Sequence, residues 1–497
     1  MQGCENGHRG CAKGRAARLC GTRAPARPDS CRALGHVPSR HAANLSASSE
    51  YRGTGRIEVR AIESHVPDSG RRTGQKGRRP IFDLVLRNAK LDGQAVDLAV
   101  QEGRIAAIGQ GIGEGRQELD AQGRMVSPPL IESHVHLDTT LTAGEPKWNE
   151  SGTLFEGIAT WALRKESLTE EDVIHRATEL LRWQAAQGVL HVRSHVDTTD
   201  PDLTAVKALL TVKERVKGLV DLQLVAFPQE GILSYPQGTE LLEEALRLGV
   251  DVVGGIPHYE LTRDMGAESV KITFQLAEKY DRRIDIHCDE TDDPQSRFLE
   301  VVAAETIRSG MGGRITASHT TAFGSYDDAY AFKLMGFLRR ADLNFVANPL
   351  VNITLQGRMD TYPKRRGMTR VKELWQNGLN VSLGYDDVMD PWYSLGTGNM
   401  LQPAHMAVHV AQMTGRREVM ACYDMVTRNA ARTLGVEERY GLEVGKPADF
   451  IVLDAPDAWD VLRRLATVTA VVKGGRLIAE ARPPEVRLLG ETVTFQR

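Results

Sequence analysis

A chain of 497 residues with 41% apolar and 26% charged side chains is too long for one small domain and has the balance of an ordinary soluble globular protein. Its net charge of −3 gives no reason to expect nucleic acid or a membrane surface as a partner, and no uncharged apolar run of about 18 residues marks a membrane span. The balance hides a split: residues 1–80 carry 16 Lys+Arg against 6 Asp+Glu, or +10, which leaves −13 for the remainder.

That first segment also holds Cys4, Cys11, Cys20 and Cys31. They lack the paired C-x₂₋₄-C spacing of zinc sites, and the segment lacks the amphipathic spacing of a transit peptide. Residues 1–80 are therefore expected to be a disordered basic extension. Only Cys288 and Cys422 remain in the body, which fits a reducing, cytoplasmic setting without disulfides.

From residue 81 the texture changes. "FDLVLRNAKLDG", "AVDLAVQEGRIAAIG" and "QELDAQGRMVSPP" read as short alternating strands broken by Asp-Gly and Gly turns. A matching set, "GLEVGKPADFIVLD", "VTAVVKGGRLIAEA" and "EVRLLGETVTF", closes the chain. Together they predict one small β-sandwich domain made from residues 81–127 and 440–497, enclosing a different middle.

Residues 128–439 alternate strand and helix. The strands are "MVSPPLIESHVH", "VLHVRSHVD", "DLQLVAFPQ", "VDVVGGIPH", "RIDIHCDE", "ITASHTT", "LNFVANPL" and "NVSLGYDD", mostly apolar as parallel strands buried on both faces must be. In "LTEEDVIHRATELLRWQAAQG", Val173, Ala177, Leu180 and Leu181 follow helical spacing, with Thr169 as N-cap and Gly188 as C-cap. Eight such units predict a (β/α)8 TIM-type barrel.

Nearly every strand ends in a group able to bind metal or a polar ligand, and the C-terminal strand ends of such barrels converge on one mouth. His134 and His136, two apart in a strand, point the same way. Joined to His287 on the fifth strand and Asp386 on the eighth, they form a ligand set suited to one Zn²⁺ or Fe²⁺. Glu290, three residues beyond His287, is placed as a proton shuttle beside metal-activated water. His319 at the sixth strand end is placed to face that water. Asp387 can turn toward substrate only if the eighth strand has ended before it. Gln229 suits either an adjacent ring C=O and N–H or the stabilisation of its own turn. Trp392 is read as core or as a flat wall for a planar substrate, with Phe227 beside it in the pocket wall. His195 and His258 are read as structural or supporting groups.

Several of these stretches, "PPLIESHVHLDTTLTAGEPKWNESGTLFEGI", "VAFPQEGILSYP", "HCDETDDPQSRF", "TASHTTA", "NFVANPLVNITLQGRMDTYPKRRGMTRVKEL" and "DDVMDPWYSLGTGNML", resemble the bacterial cytosine deaminases of the amidohydrolase superfamily, from about residue 81 onward. The resemblance implies a mononuclear iron or zinc site at His134, His136, His287 and Asp386, with Glu290 as shuttle. It implies that His319 and Asp387 flank water and substrate, that Gln229 reads the pyrimidine edge, and that Trp392 lies near the ring. The implied reaction is hydrolytic deamination of cytosine at C4 to uracil and ammonia, in pyrimidine salvage, by a homo-oligomer needing no organic cofactor. One departure stands out: the family pattern has histidine before the paired aspartates, where this chain has Tyr385, and if that position tunes the metal from behind its ligands, turnover or substrate range would differ.

Rival readings are weaker. A binuclear cyclic amidase would want a lysine at the fourth strand end, which reads "GGIPHYE". A binding protein on the same scaffold would be expected to lose a ligand or Glu290. A deaminase of another amino-heterocycle, such as isoguanine or creatinine, differs only in pocket shape.

Overall fold

The structure, a computed structural model, describes residues 81–493. The basic segment 1–80, expected as a disordered extension, lies outside the described residues. Strands β1 (Phe82–Leu91), β2 (Gln94–Gln101) and β3 (Arg104–Gly109) form a meander, followed by β4 (Gly115–Asp120) and β5 (Met125–Ser127). Asp92-Gly93 and Glu102-Gly103 join the meander as two-residue turns with both residues at positive φ. Such turns match the right-handed twist of the flanking strands, which is why Gly stands second in each.

The middle of the chain forms an eight-stranded parallel sheet: β6 (Leu130–His136), β7 (Val189–Asp197), β8 (Asp221–Phe227), β9 (Val252–Gly255), β10 (Arg283–Cys288), β11 (Ile315–His319), β12 (Asn344–Ala347) and β13 (Asn380–Leu383). Each strand pairs with the next in sequence order. The ring closes just past β13, where the Asp386 N–H donates to the His134 carbonyl at 2.7 Å and the His136 N–H donates to the Asp386 carbonyl at 3.0 Å. The fold is a TIM-type barrel with an additional β-domain.

Strand lengths follow local chemistry. The fourth strand was expected to reach His258 but stops at Gly255, because Pro257 cannot donate to the ladder and opens a 3₁₀ turn over Pro257–Tyr259. Likewise β8 stops before Pro228.

Helices α1 (Leu154–Lys165) and α2 (Glu170–Ala186) both separate β6 from β7. The Thr169 side chain caps α2 by accepting from the Asp172 N–H, with three acids in the first turn. Val173, Ala177, Leu180 and Leu181 are its buried face. The helix ends on Gln187 rather than on Gly188, which follows at φ +84°. Further round the barrel run α3 (Thr204–Arg215), α4 (Gly238–Leu248), α5 (Arg263–Tyr280), α6 (Phe298–Ser309), α7 (Asp328–Ala341) and α8 (Pro349–Leu355).

After the barrel, β14 (Phe450–Leu453), β15 (Val468–Lys473) and β16 (Arg476–Glu480) return to the first sheet, β14 pairing antiparallel with β5. The order is β16-β15-β14-β5-β1-β2-β3, with β4 beside β1. Leu84, Leu98 and Ile105 share one core cluster with Phe450, Val452 and Val472, so the two ends of the chain build one small β-domain around a common apolar core, as expected. The last predicted strand region forms its own hairpin, β17 (Val486–Leu488) with β18 (Glu491–Val493), outside that sheet. Among the described residues no helix is long and apolar enough to cross a membrane.

Candidate active site

The barrel brings the sequence-predicted donors to one end. His136 Nε2 lies 3.2 Å from His287 Nε2 and 3.5 Å from Asp386 Oδ1, and His134 Nε2 lies 3.3 Å from the same oxygen. Donors 2.0–2.2 Å from a tetrahedral ion stand roughly 3.3–3.6 Å apart, so the observed spacings are those of a ligand shell. His134 Nε2 and Asp386 Oδ2 are buried with no hydrogen-bond partner among the described residues, and no Lys or Arg lines the cavity. Burial first, then repulsion among the rings, holds His134, His136 and His287 well below the ordinary imidazole range, in the neutral form that binds metal. The His/Asp cluster, in which His134, His287, His319 and Asp386 offer ligand atoms all within 4.8 Å of one another and His136 adjoins through Asp386, fits a divalent metal site.

Groups behind the donors orient them. The Ser318 hydroxyl donates to Asp285 Oδ1 at 2.6 Å, and His134 Nδ1 lies 3.1 Å from Ser318 Oγ. With the serine proton committed to Asp285, His134 Nδ1–H must be the donor, which leaves the Nε2 lone pair facing the site. Asp285 is in turn fixed by buried Arg193 at 2.9 Å. Glu132 Oε1 accepts both the His134 and Tyr385 N–H groups at 3.0 Å. Phe227 does not line the cavity as expected; its ring stacks on His287 at 3.9 Å and meets His136 edge-on, so it braces two donors. The His195 ring lies tilted against His134 at 3.8 Å with Nε2 3.7 Å from Asp285, next to a donor as a supporting group would be. His258 is half-buried with both ring nitrogens enclosed, and burial of the ring lowers its pKa to about 4.

The cavity is lined on its polar side by His136, Gln229, His287, Glu290, His319, Asp386 and Asp387, and on its apolar side by Leu154, Leu355 and Trp392. His319 Nδ1 is 3.2 Å from Glu290 Oε1 and 3.8 Å from Asp386 Oδ2, and Asn352 Nδ2 lies 3.0 Å from the same nitrogen. His319 thus sits between the donor cluster and the Glu290 carboxylate. Burial pushes the Glu290 carboxyl up to about 8, and burial with mutual repulsion raises Asp386 and Asp387. So dense a group of buried acids is complementary to a cation.

The eighth strand has ended at Leu383, and Asp386 takes φ +74°, so Asp386 and Asp387 can both line the cavity despite being consecutive. Asp390 secures the following turn by accepting from the Thr139 hydroxyl and from the Trp392 and Tyr393 N–H groups. Asp289 does the same beside Glu290, accepting from the Ser296 hydroxyl and from the Phe298 and Leu299 N–H groups at the start of α6. Tyr385 does not stand beside the donors: its hydroxyl donates to Gln402 at 2.5 Å and its ring lies against Gly396. The tyrosine departure therefore alters the outer packing of the barrel end and not the donor set.

Glu132, Asp285, Ser318, Arg193, Asp289 and Asp390 were not singled out from sequence. A signal existed for four of them. Glu132, Arg193 and Asp285 each precede a histidine by two residues in a buried strand and share its face, and Ser318 adjoins His319. A second cluster, His191 with Asp221 and Asp449, is spanned by Lys473 and Arg439 and is read as an ion-pair network.

Residues 117–479 match the amidohydrolase family, and the chain belongs to that family of hydrolases. It is 48% identical to 5-methylcytosine deaminase from Klebsiella pneumoniae, whose crystal structure with 5-fluorocytosine matches with a TM-score of 0.80 over 82% of this chain and 100% of that one. It is 31% identical over 409 residues to N-isopropylammelide isopropyl amidohydrolase of Pseudomonas sp. strain ADP, covering 80% of this chain and 98% of the relative. It is 27% identical over 368 residues to the pterin deaminase of Rhizobium rhizogenes, covering 73% and 83%.

Two substitutions separate support of the donors from packing. Ser318→Ala should weaken metal affinity by about 10- to 100-fold, read by chelator competition, because it frees the His134 ring. Tyr385→Phe should leave metal content and affinity unchanged while costing about 0.5–1.5 kcal/mol of stability in thermal unfolding. Metal loss in that variant would return Tyr385 to the site.

Proposed function

We propose that this chain is a metal-dependent hydrolytic deaminase of amino-pyrimidines, converting cytosine, or a 5-substituted cytosine, to the corresponding uracil and ammonia. The observation that carries the reading is that one cavity holds the His/Asp donor cluster, the Glu290–His319 pair and the Gln229 amide, which makes no side-chain hydrogen bond among the described residues. The likeness to the Klebsiella enzyme supports the ring class, and the Leu154–Leu355–Trp392 side of the cavity suits an apolar ring edge.

His134, His136, His287 and Asp386 would hold one Fe²⁺ or Zn²⁺ ion, whose chemistry when bound is to lower the pKa of water toward 7. Gln229 binds the ring through its C=O and N–H edge, orienting C4 toward the nucleophile. As the oxygen adds to C4, Glu290 accepts the water proton and delivers it to N3, giving a tetrahedral carbon. His319 stabilises charge on the added oxygen, and Asp387 accepts from the amino group and holds it. Transfer of the remaining proton to that amine lets the C4–N bond break, releasing ammonia. Placing both proton transfers on Glu290 requires a carboxyl whose pKa lies near neutrality, as burial provides. The same reading carries a cytoplasmic homo-oligomer acting in pyrimidine salvage.

The likeness to the isopropylammelide hydrolase supports a second reading, hydrolysis of an alkylamine from a triazine, by the same attack on a ring carbon. Ammonia release from cytosine and 5-methylcytosine, beside isopropylamine release from N-isopropylammelide, should be measured after separate loading with Fe²⁺ and Zn²⁺. Ammonia release that chelation abolishes is expected; full loading with amine release only from the triazine would replace the first reading by the second. Glu290→Gln should retain metal and lose at least about 10²-fold in kcat. Near-wild-type turnover would remove Glu290 from the mechanism.

A further inference from the structure

The buried charges outside the donor cluster include one cation that the mechanism leaves unused. Lys165, the last residue of α1, is largely buried, and its ammonium meets four acceptors: Glu230 Oε1 at 2.7 Å, Asp197 Oδ2 at 2.9 Å, the Thr199 carbonyl at 2.9 Å and the Thr199 hydroxyl at 3.0 Å. Burial opposes the charge, but Asp197 and Glu230 outweigh it and hold the lysine above its ordinary pKa. A charge kept at that cost fixes whatever it touches.

What it touches is the neighbour of the ring-recognition residue. Gln229 sits in a turn in which the Gly231 N–H donates to the Pro228 carbonyl at 2.9 Å, and its own N–H donates to the Phe227 carbonyl at 3.1 Å. On one side of it, Lys165 holds Glu230. On the other, Glu260 Oε1 accepts from the Ile232 and Leu233 N–H groups, and Oε2 accepts from the Ser234 N–H and hydroxyl. Gly231 at φ +91° passes so close to Glu260 that a side chain there would meet its carboxylate at 2.9 Å. The far ends of this harness are rigid. Asp197 closes β7 and also accepts from the Trp161 indole at 3.1 Å. Trp161 and Ile158 of α1 pack with Val351, Leu355 and Trp392, the last two being cavity wall.

We infer that Lys165 is a positioning residue for substrate recognition: clamped by Asp197 and Thr199 at the end of β7, its ammonium fixes Glu230 and thereby the cavity-facing amide of Gln229. It touches neither the ring nor the donors, so its loss should act on binding of the ring and not on the chemical step. The inference rests on Gln229 as the group that recognises the ring.

The test is a double-mutant cycle on the metal-loaded enzyme. Lys165→Met should raise KM for the cytosine ring about tenfold while changing kcat less than about threefold, with metal content unchanged. On a Gln229→Ala background the same change should add less than about twofold, since the two act through one contact. Glu230→Ala leaves Lys165 paired with Asp197 and should reproduce the KM effect, which decides the matter if Lys165→Met fails to fold. Wild-type KM in a folded Lys165→Met, or in Glu230→Ala when that lysine variant does not fold, would overturn the inference, as would a rise that adds in full to that of Gln229→Ala. Should the wild type turn over no cytosine ring, the functional reading fails, and amide exchange then judges the harness alone. Faster exchange at Gln229 and Gly231 in Glu230→Ala, with unchanged exchange in β7 and β8, supports it, and unchanged exchange at both overturns it.

Discussion

The barrel closes through the same residue that completes the donor cluster. Asp386 donates its N–H to the His134 carbonyl and accepts the His136 N–H on its own carbonyl, so the backbone bonds that join the first and last strands also set the distance between three donor side chains. Glu132 doubles the joint by accepting from His134 and Tyr385 with one buried oxygen. Burial raises that carboxyl to about 8, and the two N–H groups oppose the shift. A buried acid inside a barrel strand is costly, and its position at the seam explains why it is there. Donor spacing is therefore a property of barrel closure and not of flexible loops, which gives preorganisation.

Backbone strain gathers at the same end. Asp289, His319, Thr320 and Asp386 all take positive φ, a conformation that costs a non-glycine residue about 1–2 kcal/mol. Each lies just past or at the end of a barrel strand, where the chain must leave the ladder while turning a polar side chain back toward the axis. Thr320 is the most telling, since a β-branched residue resists this region. Its hydroxyl donates to Thr369 and its N–H to the Cys288 carbonyl, so the surrounding bonds over-determine the turn.

The barrel was legible because parallel strands buried on both faces read as apolar runs that end in polar groups, a pattern repeated eight times. That histidines and a carboxylate would meet at one end of the barrel was legible because such residues recurred at the strand ends. Less was legible where one residue type serves two roles. Phe227 was expected in the pocket wall, and only packing shows that its ring lies on His287 and does not line the cavity. Tyr385 stands next to Asp386, yet the strand's end and the positive φ of Asp386 send the two side chains different ways. Asp285 and Arg193 were readable in principle from their period-two relation to His287 and His195.

The division of labour round the cavity follows from which segments build it. His136, His287, His319 and Asp386 come from strand ends and the barrel seam, and the proposed function places the hydrolytic chemistry on them. Leu154, Leu355 and Trp392 come from inserted or terminal pieces: the first turn of α1, the end of α8 and the loop after β13. These pieces are packed to one another as a unit. The Trp392 indole donates to the Leu154 carbonyl at 3.3 Å, and Gly157 lets that ring approach α1 so closely that a β-carbon would meet it at 2.4 Å. A side chain at position 157 would displace the indole and change the shape of the apolar side without touching a single donor. Under the proposed function, a relative could keep the donor geometry and still differ in the ring it accepts, because the apolar side of the cavity is built from segments other than the strand ends that carry the donors.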